Sequence, residues 1–451
     1  MCAAIEWNSQ LIKRYGHAAL AAGSYPQNSQ FHRGVAALDL LRALRSSRQA
    51  QRPLSLAVQL PVLAGPRDAQ APHGIGVYLQ HLGREIDMLA CHLGANQRVQ
   101  QFHLAGGLPN AVELNRLMEQ VQRRFNFQPY AGGDNSIDID LPHSSWATMG
   151  LLRQLGFNHV SIGVPDINPL NGQPLVDFQS PRQTRSLIDA ARALDFRSVN
   201  IDIGYGRAWQ TTGSFARKVA AIIELQPSRV RLFDYAHPPR RYRTLQRLVA
   251  SGFASLADKW AMRRHAVEQL MAAGYGYICL GQYVLADDDL AVAQENGQLH
   301  YNCQGFTRHA DCDHLGLGLA ASSQIGELHV QNIGDLQHYQ QQLAIGQLAV
   351  FHGLRCSPDE QLLRAVSERL LCDFQLDFNA LGARFGVDLF AYFAGAWPCL
   401  EQMHRDGLIQ LSEHGLQVPA TGRLLVAAVG KALEHGSQSL RGHGQQRAQR
   451  G

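Results

Sequence analysis

Four short stretches of this chain carry residues whose types and spacing could do chemistry. His103-Leu-Ala-Gly-Gly-Leu-Pro109 stands at the end of a β-like run and ahead of a helical one. Glycines there let backbone approach a ligand closely, which makes Gly106 and Gly107 binding candidates; a plain turn explains them equally well. Ser136-Ile-Asp-Ile-Asp140 sets two carboxylates on one strand face, suited to a ribose hydroxyl or a metal, although solvated edge residues are commoner. Asn200-Ile-Asp202 places a carboxylate in an apolar run, where an unpaired charge is costly, so Asp202 needs a defined partner. His309-Ala-Asp-Cys-Asp-His314 is dense in metal-ligating types without the regular spacing of a metal loop, and a pocket wall is the better reading.

The eight cysteines (Cys2, Cys91, Cys279, Cys303, Cys312, Cys356, Cys372 and Cys399) are scattered, with no pair at CxxC or CxxxC spacing. Reduced thiols acting as small hydrophobes are expected. A zinc or iron–sulfur site draws several ligands from one short loop, and no such loop of cysteines exists here.

The elements that must position these residues alternate from about 53 to 281. Strands are predicted at Ser55–Leu60, Val99–Leu104, Asn135–Asp140, His159–Val164, Ser198–Ile203, Arg229–Phe233 and Tyr277–Leu280. Between them the helical period recurs, as at Ala111–Phe125 with Leu114, Leu117, Met118 and Val121 on one face. Strand–helix alternation of this kind predicts an α/β fold with a parallel sheet or barrel covered by helices. After about 325 the pattern turns to helix upon helix (Asp335–Leu343, Pro358–Cys372, Phe378–Phe385, Asp388–Asp406). A hairpin and a helix at Thr421–His435 follow, in the order of a winged-helix-like unit.

With 451 residues the chain can bury a full core without staples. A balance of 41 basic against 37 acidic residues excludes nucleic-acid binding by sheer basicity. A mean hydropathy of -0.18 with no long apolar run excludes membrane insertion, and the first residues do not read as a signal peptide. A cytoplasmic protein is expected.

These residues carry a family resemblance. Landmarks are Pro53-Leu-Ser-Leu56, Asn200-Ile-Asp-Ile-Gly-Tyr-Gly206 and Phe233-Asp-Tyr-Ala-His237. The most specific is Asp287-Asp-Asp-Leu-Ala-Val-Ala-Gln294 continuing to Asn302-Cys-Gln-Gly-Phe-Thr307 and Gly316-Leu-Gly318. Over nearly its whole length the chain resembles oxygen-independent coproporphyrinogen III oxidases, which are radical S-adenosylmethionine enzymes of haem biosynthesis. The resemblance implies a partial (β/α) barrel with a mostly helical C-terminal domain. It divides the chain into an N-terminal arm (1–52), the barrel (53–325), the helical domain (326–435) and a disordered tail (436–451). It implies oxidative decarboxylation of two propionates of coproporphyrinogen III to vinyl groups, using a [4Fe–4S] cluster on a CxxxCxxC loop and S-adenosylmethionine.

The chain departs from that pattern where the cluster belongs. After Pro61 the loop carries Leu63, Arg67 and Gln70 at the family's cysteine spacing, so no metal ligand is expected there. The cofactor-side aromatic is Ala57, the loop histidine Gln59, the glutamate Asp138 and a glutamine Pro165. Gly106, Gly107, Asp138 and Asp202 remain as vestiges of the S-adenosylmethionine site. The substrate side retains Tyr235, His237, Tyr283, Asn302, Gln304, Phe306, Arg308 and His309, a mix of aromatic faces and donors suited to a propionate-bearing macrocycle.

The leading expectation is therefore a catalytically degenerate paralogue that has lost both cofactors and binds a tetrapyrrole (haem or porphyrin) or a partner protein; His237 and His314 could be axial haem ligands, but a pocket wall is the better reading of each. The alternative is an active oxidase with an unconventional cluster site. A purely structural partner of a family enzyme is the third reading.

Overall fold

The computed structural model describes residues 4–20, 26, 28–61, 74–127, 132–139, 144–164, 181–238 and 252–448. Leu63, Arg67, Gln70, Asp140 and Pro165 lie outside the described residues.

Six parallel strands form the heart of the molecule: β1 (Leu54–Gln59), β2 (Arg98–Ala105), β4 (Asp134–Ile139), β5 (His159–Val164), β6 (Ser198–Tyr205) and β7 (Arg229–Asp234). The short β3 (Asn126–Phe127) pairs with β2. The intervening helices bury an apolar stripe on the sheet. In Ala111–Arg124 this is Leu114, Leu117, Met118 and Val121, and Asn110 caps the helix by accepting from the Glu113 amide at 3.0 Å.

Beyond β7 the chain returns in antiparallel β9 (Gln282–Val284), which pairs with β8 (Gly276–Cys279). A separate hairpin follows, β10 (His300–Asn302) with β11 (Gly305–Thr307). Then β12 (Asp313–Gly318) joins the other side of β1 in parallel. A meander continues the sheet through β13 (Ser322–Ile325), β14 (Leu328–Asn332) and β15 (Val350–Arg355). The hydrogen-bonded path runs β15-β14-β13-β12-β1-β2-β4-β5-β6-β7-β9-β8 and stays open, which makes the barrel a partial one.

The strand–helix alternation predicted from 53 to 281 is borne out, with boundaries shifted by one to three residues. Two expectations after 325 are corrected. Strands β14 and β15 continue the sheet to Arg355; β14 is buried on both faces, which blurs its alternation, and β15 is a part-exposed edge strand without a clean two-residue period. The stretch 388–406 is not one helix. Asp388 caps Leu389–Tyr392, and Pro398 opens a new helix at Trp397–Arg405, where its missing amide is harmless.

The C-terminal unit sets helix Pro358–Asp373 beside a small sheet of β16 (Gln375–Asp377), β17 (Gln410–Ser412) and β18 (Gly415–Gln417). Its last helix runs from Val426 to Ala448, so the expected disordered tail is corrected to helix as far as Ala448. A packed first half propagates helix into a composition that would not nucleate one alone. The N-terminal helix Ser9–Leu20 docks on this unit, with the Tyr15 hydroxyl donating to Asp406 at 2.5 Å. No helix among the described residues is long and apolar enough to cross a membrane.

One buried acid ties the barrel's helices to its strand ends. Glu85, 1% exposed, accepts from the Gly318 amide at 2.7 Å, from Asn332 Nδ2 at 2.6 Å and from the Tyr339 hydroxyl at 2.7 Å. Burial pushes its carboxyl up to about 7, against the pull of those three donors. The unfolded chain ionises this group near its ordinary ~4.3. Its contribution to stability is therefore whole below that pH and lost as pH rises through about 7. Tyr339→Phe removes a donor to the ionised form and should cost about 1–3 kcal/mol at pH 8 and less at pH 5, read by urea unfolding at the two pH values.

Candidate functional site

A cavity of about 730 Å³ occupies the barrel interior and reaches the C-terminal unit, within the range of small-molecule sites (roughly 300–1,000 Å³). Strand register builds its polar wall. Asp134 on β4 stands beside Gln101 on β2, Gln101 beside Ser55 on β1, and Ser55 beside His314 on β12. The row continues through Gln324 on β13 to His329 on β14. Side chains at matched register point to the same face, and here that face is the interior. Ser55 Oγ donates to Gln101 at 3.0 Å and lies 3.3 Å from His314 Nδ1.

At one end of the row Asp134 is enclosed by arginine and histidine side chains. Arg308 reaches it with two nitrogens at 2.9 and 3.1 Å, Arg197 at 3.2 Å, His309 Nε2 at 2.8 Å and His159 Nε2 at 3.4 Å. Burial pushes its carboxyl up, but the hydrogen bonds from His159, His309 and Arg308 outweigh it and hold it well below the usual range. Asp134, His159 and Asp289 bring ligand atoms within 4.8 Å of one another. The guanidinium and imidazole donors already occupying both oxygens of Asp134 oppose a cation there. The His309–His314 stretch does not converge either, since His309 turns to Asp134 and His314 to Ser55.

The substrate-side residues named from the sequence divide. His237, Asn302, Gln304, Phe306 and Arg308 line the cavity. The β10–β11 hairpin presents three of them: Asn302 Nδ2 donates to Gln101 at 3.1 Å, Gln304 Nε2 to the Leu56 carbonyl at 2.9 Å, and Phe306 meets Tyr301 edge-on at 4.9 Å. Tyr235 stands behind the wall, 4% exposed, with the Arg207 guanidinium 4.1 Å above its ring. Tyr283 is fully buried against Tyr277.

On the cofactor side, Gly106 adopts φ +105°, and a Cβ there would lie 2.1 Å from the Leu60 carbonyl, so the turn itself demands glycine. Gly107 follows in the same bend. Asp138 lines the cavity with its Oδ2 3.7 Å from His103 Nε2. Asp202 has found the partner its burial requires. Arg231, directly across on β7, holds both its oxygens, through Nε at 3.0 Å and through Nη2, and Asn200 adds a bond at 2.6 Å.

A [4Fe–4S] cluster needs three converging thiolates. Residues 62–73 contain no cysteine. Among the described residues, Cys279 and Cys303 line the cavity, and no three cysteines come together. Burial drives the Cys279 thiol up to about 12, the reverse of what a ligand thiolate requires. The residues present do not fit the cluster.

Sequence reasoning missed Asp134, His159, Arg231, His329 and Arg364. One signal was legible: Arg229-Val-Arg231 alternates two cations onto one face of a strand that is otherwise apolar. The others became visible only through register.

Comparison with known proteins follows the same geometry. A family profile described as the HemN C-terminal domain matches residues 356–425. The oxygen-independent coproporphyrinogen III oxidase of Pseudomonas aeruginosa is 42% identical over 441 residues, 94% of this chain and 95% of that protein. That of Escherichia coli K12 is 33% identical, covering 94% of each chain. The chain belongs to the oxygen-independent coproporphyrinogen III oxidase family. The solved structure of the E. coli family member, described as a radical SAM enzyme, superposes with a TM-score of 0.84 at 32% identity, covering 95% of this chain and 99% of that one. The expected family and the expected α/β fold with its helical C-terminal region are thereby borne out. Within that fold this chain has a cavity walled by barrel, hairpin and C-terminal unit, and its residues 62–73 carry no cysteine.

Asp134 provides a direct test of how the cavity is held. Asp134→Asn should cost about 2–5 kcal/mol at pH 7, because it strands the Arg308 cation. The unfolded carboxyl titrates near ~3.9 and the folded one well below. Asp134's contribution is thus present above that value and lost as pH falls, so the gap between variant and parent should narrow from pH 7 to pH 3 in denaturant titrations.

Proposed function

We propose that this chain acts at the coproporphyrinogen III step of porphyrin formation and holds the propionate-bearing tetrapyrrole in the barrel cavity. One observation carries the reading: the 42% identity to a curated oxidase extends over 94% of the chain, so barrel, hairpin and C-terminal unit, which together wall the cavity, are shared as one body. The aromatic pair Tyr301–Phe306 offers faces for a macrocycle, while His237 and Arg364 offer donors to its carboxylates. The relatives' activity, oxidation of coproporphyrinogen III without dioxygen, is the chemistry this kinship supports for the chain.

A second reading, binding without turnover, is favoured by the thiols: no cysteine stands in residues 62–73, and both oxygens of Asp202 are already bonded by Arg231. A haem-binding variant of it has His237 or His314 as candidate axial residues, and a protein-partner variant is read by pull-down with a family oxidase.

The deciding experiment supplies the full chain anaerobically with iron, sulfide, S-adenosylmethionine, a strong reductant and coproporphyrinogen III, then separates the porphyrins after oxidation. Formation of protoporphyrin in multiple turnovers carries the oxidase reading and ends the second. One-to-one binding of coproporphyrin III, followed by tryptophan quenching, is expected under either reading. Absence of both product and binding overturns the assignment to this step.

A further inference from the structure

The guanidinium groups lining the cavity are neutralised or held from within, with one exception among the described residues. Arg229 is held by Asp288 at 2.7 Å, Arg231 by Asp202, and Arg308 by Asp134. Arg263 is buried, bonded to Tyr205 and lying 5.0 Å over the Trp260 ring. Arg364, on helix Pro358–Asp373, lines the same cavity half-buried, with no hydrogen bond and no carboxylate within ion-pair distance among the described residues. The acid one turn further on, Glu368, lies in the field of Arg364 but beyond ion-pair distance of it, and is bound by His300 at 3.0 Å and Arg369 at 3.4 Å.

A second, independent feature lies at the same place. His329 on β14 lines the cavity, is 5% exposed, and has an Nε2 with no hydrogen-bond partner. Burial first, and then the field of Arg364, hold its imidazole down to about 3, so it is neutral and able to donate one N–H. Ser367, three residues along the helix from Arg364, adds a hydroxyl to the lining. A partly desolvated guanidinium without a bonded counter-ion, beside an imidazole whose Nε2 has no partner, is a site that favours an anion. A carboxylate fits it better than a cation or a neutral group, because it neutralises Arg364 and accepts from the ring nitrogen.

We propose that Arg364 and His329 form a carboxylate subsite of the cavity, which takes one propionate of the bound tetrapyrrole. The C-terminal unit thereby supplies a specificity residue to a ligand held by the barrel. This rests on the tetrapyrrole reading above.

The test titrates the full chain with coproporphyrin III and with its tetramethyl ester, which keeps the macrocycle and removes the charges. Arg364→Gln should weaken the free acid by about tenfold or more and leave the ester within about twofold, since arginine–carboxylate bonds contribute roughly 1.5–3 kcal/mol. His329→Asn should weaken the acid by a smaller factor in the same direction, and Arg364→Lys should restore part of the loss. Arg364 has no protein partner to strand, so its removal should leave the melting temperature near that of the parent, which separates lost binding from lost folding. Equal weakening of acid and ester would mean a structural role and overturn the subsite. Acid binding unchanged in Arg364→Gln would overturn it too, while leaving the tetrapyrrole reading standing. Failure of the parent chain to bind either porphyrin would overturn both.

Discussion

A charge inside a barrel has nowhere to go but to its neighbour, and much of this structure follows from that constraint. Asp202 with Arg231, Asp134 with Arg308, Asp234 with Lys259, Asp288 with Arg229 and Asp313 with Arg52 are all pairs in which the carboxylate is largely hidden from water. Removing one partner leaves the other uncompensated in a poor solvent for ions, which costs far more than an exposed pair gives. Each pair also bridges separate segments of chain. Arg231 and Asp202 sit side by side on adjacent strands, whereas Arg308 reaches Asp134 across 174 residues of sequence. The pairs therefore act as register pins as well as neutralised charges.

The same constraint shapes what the cavity can do. A wall of matched ions is polar yet close to neutral, so it wets and orients a ligand without an overwhelming field. Asp202 shows the consequence for chemistry. A carboxylate held by a guanidinium through both oxygens is also a structural anion, fixed in place by the strand beside it.

Legibility differed between fold and site for a physical reason. The apolar stripe of Ala111–Arg124 and the strand His159–Val164 are local patterns, and local patterns are what periodicity reports. Strand β14 was missed because burial on both faces erases alternation, and β15 because a part-exposed edge strand shows no clean alternation either. The substrate-side residues came from family landmarks. Of these, Asn302, Gln304 and Phe306 do face the cavity, while Tyr235 was drawn behind its wall by the Arg207 guanidinium.

By itself, the order of residues determined the alternation of strands and helices, the kinship of the whole chain and the absence of thiolates after Pro61. Those are properties of composition and short-range spacing, and no folding event can add a cysteine. Only the tertiary structure decided which residues share a face. Asp134, Gln101, Ser55, His314, Gln324 and His329 come from six separate strands and align because five register choices were made together. A slip of one residue in any of them would have turned that side chain to the opposite face of the sheet. Register is set by the summed packing of the whole sheet, and that sum is not written in any one segment.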